Sequence, residues 1–418
     1  MSSRFSFLQG CTKLVSKRNR QYSSISTPIF PEKPGRRRDD DDDDCYHQPQ
    51  PFTFVTNGVS HRGRDHRIIN CGGCQHPLFE SKRFDLGFLP CFRPRRKSGS
   101  GNRAVHVRIA ATCNDMLLCH STHPGDMARR VYYLCNPLTK KWLALPHFCP
   151  KCPFMKDGVA VGLVCYNEGN DFLVVRIHKK LAQVFSSETN KWLKMDVPEQ
   201  HTRYGWERFH DIMFSWNGTL FYTDYEHIFA YNPLEPGRWH ITATPRVERE
   251  ECADSMVFGV CQGSLQLLER YRYQEEGFLR IWELKDYEKG EWSLKHDLFF
   301  DEIVTNDERL EYEVDTDNPH IDILGLDPNQ EGIVYICHNI RRLGLGLYPP
   351  YCVPNQNFSC NLRTKEVKLL DANNKIPYID ERDIFYDGLT SWEKHNMFQY
   401  IIPKQPTHVP VLPPSGTN

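Results

Sequence analysis

Two CxxC pairs have the spacing that metal chemistry requires. Cys71 and Cys74 flank two glycines and precede His76, and Cys149 and Cys152 flank Pro-Lys. Two thiolates at this spacing can reach one zinc ion, so two such pairs can complete a tetrahedral site. However, Cys149 follows Cys74 by 75 residues, which spans a whole repeat unit and far exceeds zinc-ribbon spacing. We therefore expect four reduced loop cysteines that do not converge, no bound metal and no cofactor.

Other catalytic and ligand-binding motifs are missing from the sequence. There is no GxSxG elbow, no Walker P-loop, no GxGxxG and no HExxH. The 18 histidines are scattered, without a spacing that would aim two of them at one metal. The acidic stretch 301–318 lacks the central glycine of a calcium loop, and we expect it to be a solvated insertion between blades. The sequence thus predicts no catalytic residue and favours a protein that is not an enzyme.

The remaining cysteines indicate the cellular compartment. Many of the 16 lie in apolar, strand-like runs, where a reduced thiol behaves as a small hydrophobic group. We interpret seven of them as core thiols of a protein from a reducing compartment, the nucleus or cytoplasm: Cys113, Cys119, Cys135, Cys165, Cys261, Cys337 and Cys360.

Charge and hydropathy exclude two classes of partner. Lys and Arg total 52 against 53 Asp and Glu, so no excess of one sign would attract nucleic acid. No run approaches the roughly 18 apolar residues that a membrane helix needs. We therefore expect neither nucleic acid nor membrane as a partner.

An internal repeat begins near Asn102 and determines the predicted fold. Each unit ends with an apolar strand, a polar turn and a Trp that opens a second strand, as in YYLCNPLTKKWLALP. Successive tryptophans are separated by 50, 47 and 53 residues, and a fifth unit has Val367 or a neighbour in their place. The four tryptophans are Trp142, Trp192, Trp239 and Trp292. We interpret them as blade-core residues that fill the wedge between neighbouring repeats, rather than as surfaces on which nucleobases stack.

A second hairpin precedes each of these endings, so each unit has four strands. Its turn falls at residues that tolerate positive φ or start turns, such as Asn114-Asp115, Asn217-Gly218 and Gln262-Gly263. Four short strands at a period near 50 residues are typical of a kelch-like β-propeller blade. The sequence predicts an all-β propeller of five to seven four-stranded blades, with a β-sandwich as the alternative.

The predicted domains follow composition. Residues 1–30 form one segment, and residues 31–51, with six consecutive aspartates, are expected to be a disordered linker. The propeller covers 52–410, within which residues 52–90 can supply strands for a sixth blade. An apolar strand in 397–406 is expected to close the ring.

The fragments NPLTKKWLALP, FSSETNKWLKMDVP and CNLRTKEVKLL resemble the F-box-associated, kelch-type region of plant F-box proteins. Residues 11–30 are similar to the last part of an F-box, although only ten residues precede them, so we expect a truncated, helical or disordered remnant. The resemblance implies a Skp-type adaptor as partner. The remnant offers few apolar anchors for this adaptor, chiefly Leu14, Val15, Tyr22, Ile25 and Phe30. We therefore expect adaptor binding to be weak.

The function that this resemblance implies is protein recognition. The chain would be the substrate receptor of an SCF-type E3 ubiquitin ligase, binding an unidentified target protein through propeller loops while other subunits perform the chemistry. The alternative is a propeller enzyme or metal-binding propeller with a site in the central channel. An enzyme needs His, Asp or Cys side chains from several blades to converge there, whereas a receptor needs an exposed surface with anchor residues.

Overall fold

A computed structural model shows an all-β architecture. The described residues are 51–56, 65–69, 83–92, 106–122, 131–147, 159–178, 180–198, 213–223, 226–235, 237–245, 253–273, 276–287, 289–299, 301–304, 320–339, 356–370, 397–403 and 405–413.

The strands of these residues form six four-stranded antiparallel sheets. Blade 1 comprises β4 (His106–Cys113), β5 (Met116–Thr122), β6 (Tyr132–Asn136) and β7 (Lys141–Ala144). Blade 2 comprises β8 (Ala160–Tyr166), β9 (Asp171–His178), β10 (Leu181–Ser186) and β11 (Lys191–Asp196). Blade 3 comprises β12 (Phe214–Trp216), β13 (Thr219–Thr223), β14 (His227–Tyr231) and β15 (Trp239–Ala243). Blade 4 comprises β16 (Ala253–Cys261), β17 (Ser264–Tyr273), β18 (Glu276–Asp286) and β19 (Glu291–Phe299). Blade 5 comprises β20 (His320–Leu326), β21 (Ile333–Asn339), β22 (Gln356–Asn361) and β23 (Glu366–Leu369).

The sixth sheet, the closing blade, combines strands from distant parts of the chain. β1 (Phe52–Thr56), β2 (Asp65–Ile69) and β3 (Arg83–Asp85) follow one another, and β24 (Met397–Ile401) is added beside β1. The β24–β1 pairing is antiparallel and runs from Phe52 opposite Ile401 to Thr56 opposite Met397. Each of blades 1 to 5 therefore consists of four consecutive strands, and the closing blade joins the two ends of the repeat array, so that each innermost strand in the described residues is paired within its blade.

Packing between blades closes the ring. The innermost strands β24, β4, β8, β12, β16 and β20 each contact the next, and β20 contacts β24. Six clusters of buried apolar residues, counted over the described part of the chain, each join two neighbouring blades. In one of them, Phe54 of the closing blade packs with Leu324 and Tyr335 of blade 5. The six clusters confirm a propeller of four-stranded blades rather than a two-sheet sandwich.

Glycines on the innermost strands allow the next blade to approach closely. A Cβ at Gly162 of β8 would lie 2.7 Å from Leu220 Cδ2 of blade 3. A Cβ at Gly325 of β20 would lie 2.5 Å from Phe54 Cε1 of the closing blade. Both distances are shorter than van der Waals contact, so a larger residue would push the blades apart.

The hairpin turns form as their residue types predict. Asn217 and Gly218 have φ of 47° and 74°, and Gln262 and Gly263 have 47° and 77°. Two successive residues with positive φ are characteristic of the type I′ turn, whose twist matches that of paired strands. Asn114 also has positive φ, at 54°. These short turns fix the register of the inner two strands in blades 1, 3 and 4.

The prediction that the acidic stretch 301–318 is a solvated insertion was wrong for its first four residues. Residues Asp301–Val304 form a helical turn, α1, directly after β19. Ile303 in this turn is only 1% exposed and packs into the apolar cluster between blades 4 and 5. The charge pattern concealed this anchor, because a single apolar residue among acidic neighbours has no periodicity to detect.

Candidate functional site at the hairpin face

One face of the ring carries the short turns of the blades, and we call it the hairpin face. In a four-stranded meander the first and third turns lie at the same end of the sheet. Direct contacts show this in blade 1, where Asn136 Nδ2 donates to Asp115 Oδ2 at 2.7 Å, and in blade 5, where Leu362 N donates to Gly332 O at 2.8 Å. Turns of neighbouring blades also meet, since Gln262 N donates to Pro328 O at 2.8 Å.

Asp115 and Asn136 form a polar clamp on this face. Both side chains are fully buried. Asn136 Oδ1 accepts hydrogen bonds from the amides of Leu138 and Thr139, which fixes the orientation of its amide group. Its Nδ2 group donates to Asp115 Oδ2 and, at 2.8 Å, to Thr407 O. Thr407 N donates at 2.8 Å to Asp115 Oδ2. The clamp thus binds both the N–H and the C=O of one distant residue.

Thr407 belongs to residues 405–413, a segment outside helices and strands that contacts blades 1 and 2. At Gly169 of blade 2 the backbone has φ of 84°, and a Cβ there would overlap Thr407 Cγ2. Further along, Asn190 Nδ2 donates to Pro413 O at 2.8 Å. Two side chains of the segment pack on the apolar cluster between these blades: Val409 and Leu412. Main-chain hydrogen bonds and spaced apolar anchors are the means by which domains bind extended peptides.

Three polar side chains of successive inner strands meet beside the clamp. Cys113 ends β4, Cys165 lies near the end of β8 and Ser215 lies in β12. Hydrogen bonds, first from Cys165 and then from Ser215, lower the pKa of the Cys113 thiol against the opposing effect of burial. The same Cys113–Cys165 contact raises the pKa of Cys165. The interaction between Cys113 and Cys165 therefore shifts the pKa values of the two thiols in opposite directions.

An ion-pair network links blades 4 and 5 near the same face. Lys295 Nζ of β19 lies 3.0 Å from Glu283 Oε2 and 2.9 Å from Glu331 Oε1, and Glu331 Oε2 lies 3.4 Å from Arg363 Nη2. The Glu283 side chain is only 4% exposed, so its charge depends on these partners. The hydrogen bond from Lys295 lowers the pKa of Glu331.

This network predicts a specific acid sensitivity. Because the pKa of Glu331 is lower in the folded chain than its ordinary value of 4.5, its ionisation stabilises the fold above that pH. This contribution is lost as pH falls below 4.5 towards the lowered value. Lys295→Met keeps the apolar stem and removes the charge, so we expect a smaller loss of stability on acidification than in the unmodified protein. Urea unfolding at pH 7 and pH 4 measures the difference.

Lys289→Met provides the control for this prediction, because the Lys289 side chain is 66% exposed and its ion pairs contribute little. This variant should show the same acid response as the unmodified protein. An unchanged acid response in Lys295→Met would contradict the assignment.

The four repeat tryptophans lie at the start of the outermost strands. Trp142, Trp192 and Trp292 are second in β7, β11 and β19, and Trp239 is first in β15. Val367 is second in β23. Each tryptophan packs, partly buried, against an apolar cluster shared by two blades. The indole N–H of Trp192 also donates at 2.8 Å to Pro146 O, in the connection from blade 1.

Several predicted site residues lie outside the described part of the chain. These include the linker residues 31–50, the adaptor anchors Leu14, Val15, Tyr22, Ile25 and Phe30, and the cysteines Cys71, Cys74, Cys149 and Cys152. Within the described ranges, no three His, Cys, Asp or Glu side chains are grouped so that they could hold a metal ion. Over the same ranges, no helix is long and apolar enough to cross a bilayer.

The core-thiol interpretation holds for only part of the cysteine set. All seven cysteines lie in strands, and four of them are buried: Cys119, Cys135, Cys261 and Cys360. Cys113 and Cys165 are instead partly exposed. They end inner strands, where the strands approach the hairpin face. Sequence reasoning also missed the clamp, although the Asn-Pro-Leu turn shared by Asn136 and Asn232 was a visible signal.

Comparison with known proteins gives a family and distant relatives. A family model described as KIB1-4 beta-propeller matches residues 91–308, more than half of the chain. An F-box protein of Arabidopsis thaliana is 28% identical over 215 residues, covering 45% of this chain and 55% of that protein. The chain therefore spans about half the length of this curated relative.

Two solved structures show weak similarity to the chain. The WD40 domain of SCAP from fission yeast has a TM-score of 0.34 and 7% identity, covering 73% of this chain and 69% of that chain. The β-propeller domain of the Trilobed protease from Pyrococcus furiosus has a TM-score of 0.33 and 7% identity, covering 65% of this chain and 72% of that chain.

Proposed function

Because the chain belongs to the KIB1-4 β-propeller family, we propose that it is a protein-recognition module that resembles the substrate receptor of an SCF-type E3 ubiquitin ligase. It binds a target protein through its loops, and a Skp-type adaptor links it to a cullin scaffold. Other subunits catalyse ubiquitin transfer, so the chain itself is not an enzyme. The similarity to an F-box protein supports this proposal.

One structural observation carries the proposal. The hairpin face holds residues 405–413 through both main-chain groups of Thr407 and two apolar anchors. A surface that binds a segment in this way has the groups that a protein target requires. We further propose that the blades are of the kelch type, that the protein comes from a plant, and that it acts in the nucleus or cytoplasm.

Target capture followed by reconstitution tests the function. The full chain is used to purify bound proteins from plant cells, and one reproducible partner is then incubated with the chain, a Skp-type adaptor, a cullin scaffold, and the activating and conjugating enzymes. We expect ubiquitin to be added to the partner only when the chain is present. A partner that binds but is not modified, while a known receptor supports modification of its own target, would contradict the receptor role.

Adaptor binding is a separate prediction about residues 1–30. Specific interfaces bury about 800 Å² per partner, and residues 11–30 offer few apolar anchors. We expect the full chain to capture purified Skp-type adaptor much more weakly than a complete F-box receptor does in the same pull-down. Stoichiometric capture that disappears on deletion of residues 1–30 would show instead that this short segment is sufficient.

A further inference from the structure

Cys113 and Cys165 form a thiol pair between neighbouring blades. They lie at corresponding positions near the ends of β4 and β8, which pack against each other in the ring. Both side chains pack against the apolar cluster that blades 1 and 2 share, and the interaction between them shifts the pKa of each thiol. Both residues remain partly exposed, which distinguishes them from the other described cysteine pair.

That other pair provides an internal comparison. Cys119 and Cys135 lie on neighbouring strands within blade 1, with their Sγ atoms 3.9 Å apart. Both are fully buried, and burial raises the pKa of the Cys119 thiol well above its ordinary value. A protonated thiol without access to solvent reacts slowly with oxidants. Proximity alone therefore does not make a pair reactive.

The surroundings of Cys113 affect its thiol differently from those of Cys119, because they lower its pKa. Hydrogen bonds from Cys165 and, to a smaller extent, from Ser215 lower the pKa of the Cys113 thiol, while burial and, less strongly, the Asp115 carboxylate raise it. A partly exposed cysteine with a second thiol beside it is the arrangement found in redox-responsive cysteines. Cys165 is placed to act as the second thiol.

We propose that Cys113 and Cys165 are an oxidisable dithiol, which hydroperoxides convert to a disulfide between blades 1 and 2. The Cys113 thiolate attacks one peroxide oxygen, the O–O bond breaks, and a sulfenic acid forms with release of water, or of an alcohol when the oxidant is an organic hydroperoxide. The Cys165 sulfur then attacks the sulfenic sulfur, the S–S bond forms, and a second oxygen leaves as water. Overall, two thiols lose two protons and two electrons to one peroxide. This redox role is independent of the proposed receptor function.

The position of the pair indicates what such a bond would affect. Thr112, beside Cys113, donates through Oγ1 to Gln399 O of the closing strand at 3.0 Å. Two residues further on, Asp115 binds Thr407 of the segment 405–413. A disulfide between Cys113 and Cys165 would therefore join blades 1 and 2 covalently, next to the residues that contact the closing strand and hold the segment.

Peptide mapping after oxidation tests the proposal on the full chain. The reduced protein is treated with hydrogen peroxide, remaining thiols are blocked with N-ethylmaleimide, and the digest is analysed by mass spectrometry. We expect a cross-linked peptide that contains Cys113 and Cys165 and disappears after reduction. We expect it to form at least about tenfold faster than any product at Cys119 or Cys135, because those thiols are buried.

Two variants separate the roles of the sulfurs. In Cys165→Ser, the sulfenic acid at Cys113 has no resolving thiol and should be trapped by dimedone. In Cys119→Ser, the cross-link between Cys113 and Cys165 should form at the same rate as in the unmodified protein. The proposal is overturned if the cross-link is absent from the oxidised unmodified protein, or if Cys119 and Cys135 become linked equally fast. The decisive measurement uses the unmodified chain, so it does not depend on a variant folding.

Discussion

Replacing Phe54 with alanine is expected to lower the free energy of unfolding by about 3–5 kcal/mol. The Phe54 side chain is only 2% exposed and lies between the closing blade and blade 5. Its ring makes an edge contact with Tyr335 at a centroid distance of 5.4 Å. Because Gly325 leaves space for this ring, alanine would create a cavity bordered by backbone, which cannot collapse easily. Urea unfolding measures the change.

Phe299→Ala is the matched control, since the same atoms are removed from a residue that is 41% exposed on the outer strand β19. The expected loss there is about 1 kcal/mol, because less apolar surface returns to water. Equal losses in the two variants would mean that closure between blade 5 and the closing blade contributes little to stability.

The second large effect is expected for Asp115→Ala. This change removes the acceptor of the Thr407 N–H and one of the two acceptors of Asn136 Nδ2 in a buried site, at a cost of about 2–3 kcal/mol. Release of residues 405–413 should also accelerate hydrogen exchange at the Thr407 amide. Urea unfolding and hydrogen exchange followed by mass spectrometry measure the two effects on the same sample.

Asp196→Ala provides the comparison, because Asp196 is an exposed aspartate in β11. Its replacement should change stability by no more than about 0.5 kcal/mol and leave exchange at Thr407 unaltered. If Asp115→Ala has the same small effects, the clamp is not what holds the segment on the hairpin face.

The repeat unit could be predicted from the sequence because the residues that define it are close together in the chain. The tryptophan spacing and the turn residues Asn217-Gly218 and Gln262-Gly263 each depend on neighbours within one hairpin. The closing strand was also detectable, since the run after Met397 is apolar and strand-like, and it does pair with β1. These signals are short-range, and the propeller follows from their repetition.

The candidate site could not be predicted from the sequence in the same way. Asp115 and Thr407 are separated by 292 residues, and no periodicity relates an aspartate in a turn to a threonine in a distant segment. The pairing of Cys113 with Cys165 depends on the rotation between blades 1 and 2, which sequence spacing does not specify. The partial exposure of both residues likewise follows from their positions near the ends of inner strands rather than from the apolar composition around them.

The pairing of β24 with β1 also determines when the protein can finish folding. During translation, blades 1 to 5 can form in order as they leave the ribosome, because each uses consecutive strands. β1 emerges first but finds its partner on the inner side only after residues 397–401 have been made. Until then its hydrogen-bonding edge is open, and an open edge promotes aggregation. The nascent chain therefore has its greatest need for chaperones while this edge is unpaired, and translation that stops before residue 397 yields a ring that cannot close.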